Sequence, residues 1–314
     1  MQKGEVKQNV FIITGPTSSG KTSLALEMCK RFKGEIISAD SRQVYKYMDI
    51  GTGKVPVNSK IKIEKGQRCW KLDGIKVWGY DLVTPDQYFS GYDFADFALK
   101  KAKEIFESGK NVFIVGGTGF YLDLLTGRMK PSNVKPDFDL RDELESLSLF
   151  ELQERLKGID RKAFEKIDQN NKARLVRAIE KKLSAEVREA PLPYLQNVDY
   201  VWIGLTSERE LLYKRADSWV DEIWDGGLIS EVNNLCGMGY GDSRKLKGLV
   251  YKTVLDYLNE KLLDEDAKNR IKFDIHSYIR RQQTWFKKNN DIYWVDISQD
   301  DFKEIIYNKI KENI

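Results

Sequence analysis

The stretch VFIITGPTSSGKT, Val10 to Thr22, decides how the rest of the chain is read. VFIIT is short, β-branched and apolar without alternation, the pattern of a strand buried on both faces of a parallel sheet. GPTSSGKT, Gly15 to Thr22, then satisfies G-x-x-x-x-G-K-[ST] in full. Beyond it Leu24, Ala25, Met28, Cys29 and Phe32 repeat at helical spacing, with Gly34 as a stop. Strand, glycine-rich turn and helix in that order are the setting this motif requires. The residues Gly15, Pro16, Thr17, Ser18, Ser19, Gly20, Lys21 and Thr22 are therefore expected to wrap a diphosphate. Backbone amides and the helix N-terminus would face the anion. Lys21 would reach its terminal oxygens and Thr22 would ligate Mg²⁺.

Outward from this loop the apolar runs continue. EIISAD ends at Asp40, NVFIVGG spans Asn111 to Gly117, and YVWIGL (Tyr200 to Leu205) and IYWVD (Ile292 to Asp296) follow much later. An amphipathic helix marked by Phe94, Phe97, Ala98, Ala102, Ile105 and Phe106 lies between the second and third runs. Buried strands alternating with helices predict an α/β fold with a P-loop NTPase-like parallel sheet core. Residues 128–197 hold no strand candidate, have prolines at their edges, and read as charged amphipathic helices. The organisation expected is a core of 1–127 and 198–314 with an inserted all-helical domain at 128–197. From about 208 to 288 the pattern is again helical, broken by the glycine-rich run from Gly237 to Gly241.

Composition narrows the function. The 314 residues are 41% apolar and 32% charged, and 52 basic against 48 acidic residues leave a net charge of +4, too weak to identify a nucleic-acid binder by itself. A single histidine, His276, excludes His-rich zinc sites and any mechanism needing two imidazoles. Cys29, Cys69 and Cys236 are scattered, odd in number and without a CxxC, which fits reduced thiols in a cytoplasmic protein. No apolar run reaches the length of a membrane span and the polar N-terminus lacks a signal-peptide core, so no membrane partner is expected.

A P-loop alone specifies a diphosphate, not a reaction. The only apolar strand running straight into an acid is IISAD, which makes Asp40 the candidate for handling a second substrate beside the phosphates. The alternative for Asp40 is a helix N-cap. A small-molecule kinase using ATP and a GTPase-like RNA-binding switch are rivals at this point. The second lacks a guanine-reading NKxD motif.

More specific stretches follow in a fixed order: DSRQVYKYMDIGTGK (Asp40 to Lys54), VGGTGFYL (Val115 to Leu122), NNKARLVRAIE (Asn170 to Glu180), the run from Gly204 to Val232, and RRQQTWFKKNN (Arg280 to Asn290). Together with GPTSSGKT they resemble the tRNA dimethylallyltransferases over about residues 10 to 296. The resemblance implies a P-loop core with a helical insertion. It implies transfer of a dimethylallyl group from dimethylallyl diphosphate to N6 of the adenine 3′-adjacent to the anticodon. The P-loop would hold the donor's diphosphate, not ATP. Free adenine nucleotides are the alternative acceptor. The match also assigns Arg215 to the charge on the leaving diphosphate. Departures from the family pattern stand at Trp78 and Tyr80, in place of a usual histidine pair, and at Trp219, Val250 and Arg42.

Chemistry then suggests roles. The N6 amine must shed a proton as it attacks, and Asp40 is positioned in sequence to accept it. Thr118, in GGTG, would fix the amine or Asp40 through its hydroxyl, and Gln43 would read an adenine edge. Ser41, Arg42, Arg141 and Arg281 are further expected tRNA contacts. On the helix Asn171 to Leu183, the residues Leu175, Ile179 and Leu183 share one face while Arg174, Arg177 and Lys181 lie nearly opposite, a stripe able to track anticodon stem-loop phosphates. Trp285 and Phe286, amid the basic residues of 280–288, are expected in the core more than on stacked bases. With every motif in one chain, a monomer is expected.

Overall fold

In a computed structural model of the chain, residues 8–54, 60–67, 69–132, 134–184, 192, 195 and 197–314 are described. They divide into two compact units, one within Met1–Met129 and Pro193–Ile314, the other within Lys130–Leu192. Among the described residues no helix is long and apolar enough to cross a membrane.

The first unit runs β1 (Gln8–Thr14), α1 (Lys21–Arg31), β2 (Gly34–Ser38), β3 (Ile63–Lys65), β4 (Trp70–Leu72), β5 (Ile75–Trp78), α2 (Gly91–Glu107), β6 (Asn111–Val115) and α3 (Gly119–Leu125). The second unit supplies α4 (Phe138–Ser146), α5 (Leu149–Ile159), α6 (Arg161–Lys166) and α7 (Lys172–Leu183). The first unit resumes with β7 (Val198–Thr206), α8 (Arg209–Ile223), α9 (Ile229–Gly237), α10 (Leu249–Leu258), α11 (Asp264–Phe286), β8 (Tyr293–Asp296) and α12 (Phe302–Lys311). Between α8 and α9 the helix widens over Trp224–Leu228, where Gly227 takes φ 106°.

One eight-stranded sheet has the order β3-β4-β5-β2-β6-β1-β7-β8. The six strands from β5 to β8 are parallel, and β3 and β4 add an antiparallel edge. The apolar runs form the centre because they are buried on both faces: Val10, Phe11, Ile12 and Ile13 are fully buried, as are Val112, Phe113 and Ile114. β1 sits between β6 and β7, with Val10 opposite Val112 on one side and Tyr200 on the other. The expected strands at Val10, Glu35, Asn111, Tyr200 and Ile292 are thus present. The edge strands β3 to β5 carry no comparable apolar run, and sequence patterning does not show them.

β2, β6 and β1 are neighbours, so the segments leaving their carboxyl ends converge: Ala39–Asp40, Gly116–Thr118 and the phosphate loop. Ligand sites of open α/β sheets lie at this edge. Two glycines there are demanded by crowding. A Cβ on Gly15, at φ 137°, would lie 2.3 Å from the Leu205 carbonyl oxygen, and one on Gly116 would lie 2.1 Å from the Ala39 oxygen.

The second unit is all helical. Side chains of Asp137, Ser148, Asp160 and Asn171 cap α4, α5, α6 and α7. Its core is Leu144, Leu152, Leu156, Leu175, Val176 and Ile179. Leu183, expected on the apolar face of α7, is 45% exposed, and Glu180 is buried instead. The Glu180 carboxylate accepts from Arg141 Nε (2.8 Å) and Nη2 (3.0 Å), from the Asp137 amide (2.7 Å) and from Arg177. Burial pushes its carboxyl upward, but these donors outweigh burial and hold it below the ordinary glutamate value.

Candidate active site

Gly20 ends the phosphate loop with φ 84°, and Ser18 also takes the left-handed region at φ 63°. These turns bring the chain round sharply into α1, with the Thr17 amide donating to Gln282 Oε1 and the Ser19 amide to the Pro16 oxygen. α1 starts at Lys21 with no side-chain cap and no acid in its first turn, so its positive end is left to an incoming anion. The Ser19 hydroxyl is buried without a protein partner, an arrangement that a phosphate oxygen would satisfy. Lys21 folds over the loop, its Nζ donating to the Pro16 oxygen at 2.6 Å. Burial pushes its ammonium down to about 8, against the pull of Asp40.

The loop forms one end of a cavity of about 320 Å³. Thr17, Ser18, Gly20, Lys21 and Thr22 line that end, with Asp40, Arg42, Gln43 and Arg215 as further polar walls. Trp219, Leu249, Val250, Tyr251, Ile275 and Tyr278 give it an apolar side from α8, α10 and α11. Gly15, Pro16 and Ser19 shape the loop from behind. Residues over 200 positions apart in sequence therefore share one pocket with a diphosphate cradle and an apolar wall.

Asp40 stands just past β2. Its Oδ1 accepts the Arg42 amide at 2.8 Å, a turn that fixes the carboxylate's direction. Burial raises its carboxyl above the ordinary aspartate value, against the Arg42 and Gln43 amides and the Lys21 and Arg42 charges. Such a shift suits a group that must accept a proton near neutral pH. Asp40 is followed by turns and not by a helix, so the N-cap alternative falls.

Several of the expected site residues are engaged by neighbours within the chain. The Thr118 hydroxyl accepts the Ser41 amide at 3.0 Å and meets Tyr278, not Asp40. Gln43 has its amide engaged. Its Oε1 accepts from Ser38 Oγ (2.7 Å), and its Nε2 donates to the Thr52 and Gly53 oxygens (3.1 and 3.3 Å). With both donors consumed it braces the 51–53 loop and offers no free donor to an adenine edge. Arg42 points at the 245–248 loop, its Nη2 donating to the Lys245 and Gly248 oxygens. Arg281 is exposed on α11, over the Tyr278 ring at 5.7 Å. In the second unit Arg141 and Arg177 are committed to Glu180. Lys181 is exposed, and Arg174, 60% exposed at its side chain, lies 3.7 Å from Asp168. The α7 stripe is thus part structural. Phe286 is buried as expected, whereas Trp285 is half-buried and donates to Asp123 at 2.9 Å.

Sequence reading missed Gln282. From α11 its Oε1 accepts the Thr17 amide (2.8 Å) and its Nε2 donates to the Gly117 oxygen (3.0 Å), joining the phosphate loop to GGTG. Tyr251 and Tyr278 were also missed. Of the departures, Trp78 donates to Glu35 and Tyr80 packs on Trp70; neither lines the cavity, although Tyr80 is close enough for the Asp40 charge to act on its hydroxyl. Trp219 and Val250 line it, and Trp219 reaches within 3.7 Å of where a Gly53 Cβ would be.

No cluster of three His, Cys, Asp or Glu able to hold a metal occurs among the described residues. A Mg²⁺ ion would have to share its shell between one hydroxyl, such as Thr22's, and oxygens of the ligand. That is how this ion is commonly held on phosphates.

A family model described as IPP transferase matches residues 43–289. The tRNA dimethylallyltransferase of Acetivibrio thermocellus is 41% identical, covering 96% of both chains, and that of Finegoldia magna is 36% identical, covering 98% of both. Among solved structures, the full-length tRNA isopentenylpyrophosphate transferase of Bacillus halodurans superposes with a TM-score of 0.70 at 34% identity, covering 98% of this chain and 97% of that one. A eukaryotic dimethylallyltransferase solved acting on tRNA gives a TM-score of 0.74 at 25% identity, covering 98% of this chain and 80% of its own.

Proposed function

This chain belongs to the IPP transferase family, and from that premise we propose that it is a tRNA dimethylallyltransferase. It moves a dimethylallyl group from dimethylallyl diphosphate to N6 of the adenine 3′-adjacent to the anticodon. The observation that carries the reading is the meeting of a phosphate loop, a half-buried carboxylate and an apolar wall in one cavity.

The acceptor nitrogen attacks the donor's allylic carbon, the carbon–oxygen bond breaks, and diphosphate leaves with the bonding pair. Asp40 takes the proton released from N6. Its raised affinity for protons supports that role, and the Arg42 amide keeps it aimed. Charge builds on the departing diphosphate, where the loop amides, Lys21 and Arg215 stabilise it. Thr22 would hold Mg²⁺, which supplies further neutralisation of that charge. The apolar wall takes the five-carbon chain and excludes water from the allylic centre. Thr118 and Ser41 border the acceptor's approach. Arg174, Lys181 and Arg281 are exposed and contact tRNA phosphates, while Arg141 and Arg177 serve the insertion's own structure. The enzyme works as a cytoplasmic monomer.

Incubation with labelled dimethylallyl diphosphate and Mg²⁺, with unmodified tRNA or AMP as acceptor, tests this reading. Label is expected in tRNA at the adenine beside the anticodon. Label in AMP alone, or none in either, overturns it.

A further inference from the structure

The segment following Asp40 turns through Asp49, Ile50 and Gly51 before Thr52 and Gly53 reach the cavity. Three successive amides in such a turn form a concave anion-binding nest. Here the occupant is a side chain of the same protein. Glu231, on α9, accepts the Asp49 amide at 2.8 Å and the Ile50 amide at 2.7 Å through Oε2. Through Oε1 it accepts the Gly51 amide at 3.1 Å and the Tyr251 hydroxyl at 2.8 Å. Four donors on one carboxylate are charge-assisted and fix it in every direction.

The carboxylate holds two walls together. Gly51 is pressed on Tyr251 so closely that a Cβ would stand 2.8 Å from the ring's Cζ. The Tyr251 ring faces the Arg42 guanidinium at 5.8 Å. Arg42 in turn grips the Lys245 and Gly248 oxygens, just ahead of Leu249, which carries φ 50°. Gly51, Thr52, Gly53, Leu249, Val250 and Tyr251 all line the cavity, whereas Glu231 does not. A bulky residue held at positive φ needs surroundings that over-determine it.

We infer that Glu231 is a positioning residue: by filling the amide nest of residues 49–51 and holding Tyr251, it locks the 51–53 loop and the start of α10 into the geometry that transfer requires. The consequence for catalysis rests on the transferase reading above.

Glu231→Gln tests it, since the new amide NH₂ cannot accept from a backbone N–H: the Gly51 bond is lost if the NH₂ faces Tyr251, whose hydroxyl can then accept, and the Asp49 and Ile50 bonds are lost if it faces them. Hydrogen exchange at the 49–51 amides is expected to speed up at least ~10-fold. Single-turnover transfer at saturating donor and tRNA should fall between about 10- and 100-fold, the scale of a small misplacement of reacting groups. Affinity for tRNA should stay within about two-fold, and the melting temperature should move by only a few degrees. Tyr251→Phe removes the fourth bond and keeps the nest. It should slow transfer less, leave the 49–51 amides protected, and combine less than additively with Glu231→Gln. It also carries the test if Glu231→Gln does not fold, in which case an unchanged transfer rate overturns the proposal. Amides that exchange as slowly in Glu231→Gln as in the parent overturn it, and so does faster exchange with transfer within two-fold. A parent protein that prenylates no tRNA refutes the transferase reading instead, while the exchange data still decide whether the latch exists.

Discussion

Replacing Gln282 by leucine keeps the side chain's size while removing the only bridge between the phosphate loop and GGTG among the hydrogen bonds described. Gln282 is 5% exposed, and the change strands the buried Gly117 oxygen and the half-buried Thr17 amide. An unmade buried hydrogen bond costs about 1–3 kcal/mol. Two such groups, with some relaxation toward the cavity and its water, give a loss of about 2–4 kcal/mol. For a chain of this size that corresponds to a drop of roughly 3–6 °C in melting temperature. The functional effect should exceed the thermal one, because Thr17 belongs to the anion cradle. Inorganic pyrophosphate with Mg²⁺ should bind at least ~10-fold more weakly, matching about 1.4 kcal/mol. Calorimetric melting and a pyrophosphate titration read the two effects separately. Melting within 1 °C of the parent together with unchanged pyrophosphate affinity would refute the bridge.

The pH profile of kcat/KM should be bell-shaped. Its acid limb should lie above the ordinary aspartate value of about 3.9, because Asp40 must be ionised to accept a proton and burial raises its carboxyl. The alkaline limb should fall near 8, where Lys21 loses its charge in the free enzyme, and Lys21→Arg should move that limb upward. A profile flat from pH 6 to about 9.5 contradicts the Lys21 assignment, and an acid limb at or below about 3.9 contradicts the Asp40 one. In the insertion, Arg174→Ala with Lys181→Ala should weaken tRNA binding and lower the salt slope by up to about two units, read from affinities at several salt concentrations. Glu180→Gln should instead destabilise the insertion by about 3–5 kcal/mol by leaving Arg141 and Arg177 short of their counter-charge, measured as loss of helical circular dichroism on heating. Because Glu180 is held below its ordinary value, its contribution is present above about pH 4.3 and is lost as pH falls through the depressed value.

What the sequence made legible follows from burial. β1, β2 and β6 are covered on both faces, so they read as unbroken apolar runs, and the phosphate loop follows from its place after the first. β3 shows the opposite: its residues Ile63–Lys65 are partly or fully exposed, and three residues carry no period. Charge patterning failed on α7 for a related reason. Periodicity treats a glutamate as solvent-facing, but Glu180 is buried because Arg141, Arg177 and the Asp137 amide surround it. At the site, Asp40, Lys21 and Arg215 were found because each sits in or beside a motif. Gln282 and Glu231 were not, because their partners lie 265 and about 180 positions away, and nothing local marks a glutamine or glutamate that serves backbone amides. The ties of Gln43 to Ser38, Thr52 and Gly53 were invisible for the same reason: they exist only once the chain has turned.

Whether Asp40 accepts the proton of the attacking amine is decided by the single-turnover rate of prenyl transfer by Asp40→Asn. Asparagine retains an oxygen for the Arg42 amide, so the turn past β2 and the fold are preserved, and only basicity is lost. The rate is expected to fall at least ~10²-fold, or roughly 3 kcal/mol of transition-state stabilisation, with tRNA and pyrophosphate affinities near those of the parent. A rate within a few-fold of the parent would contradict it.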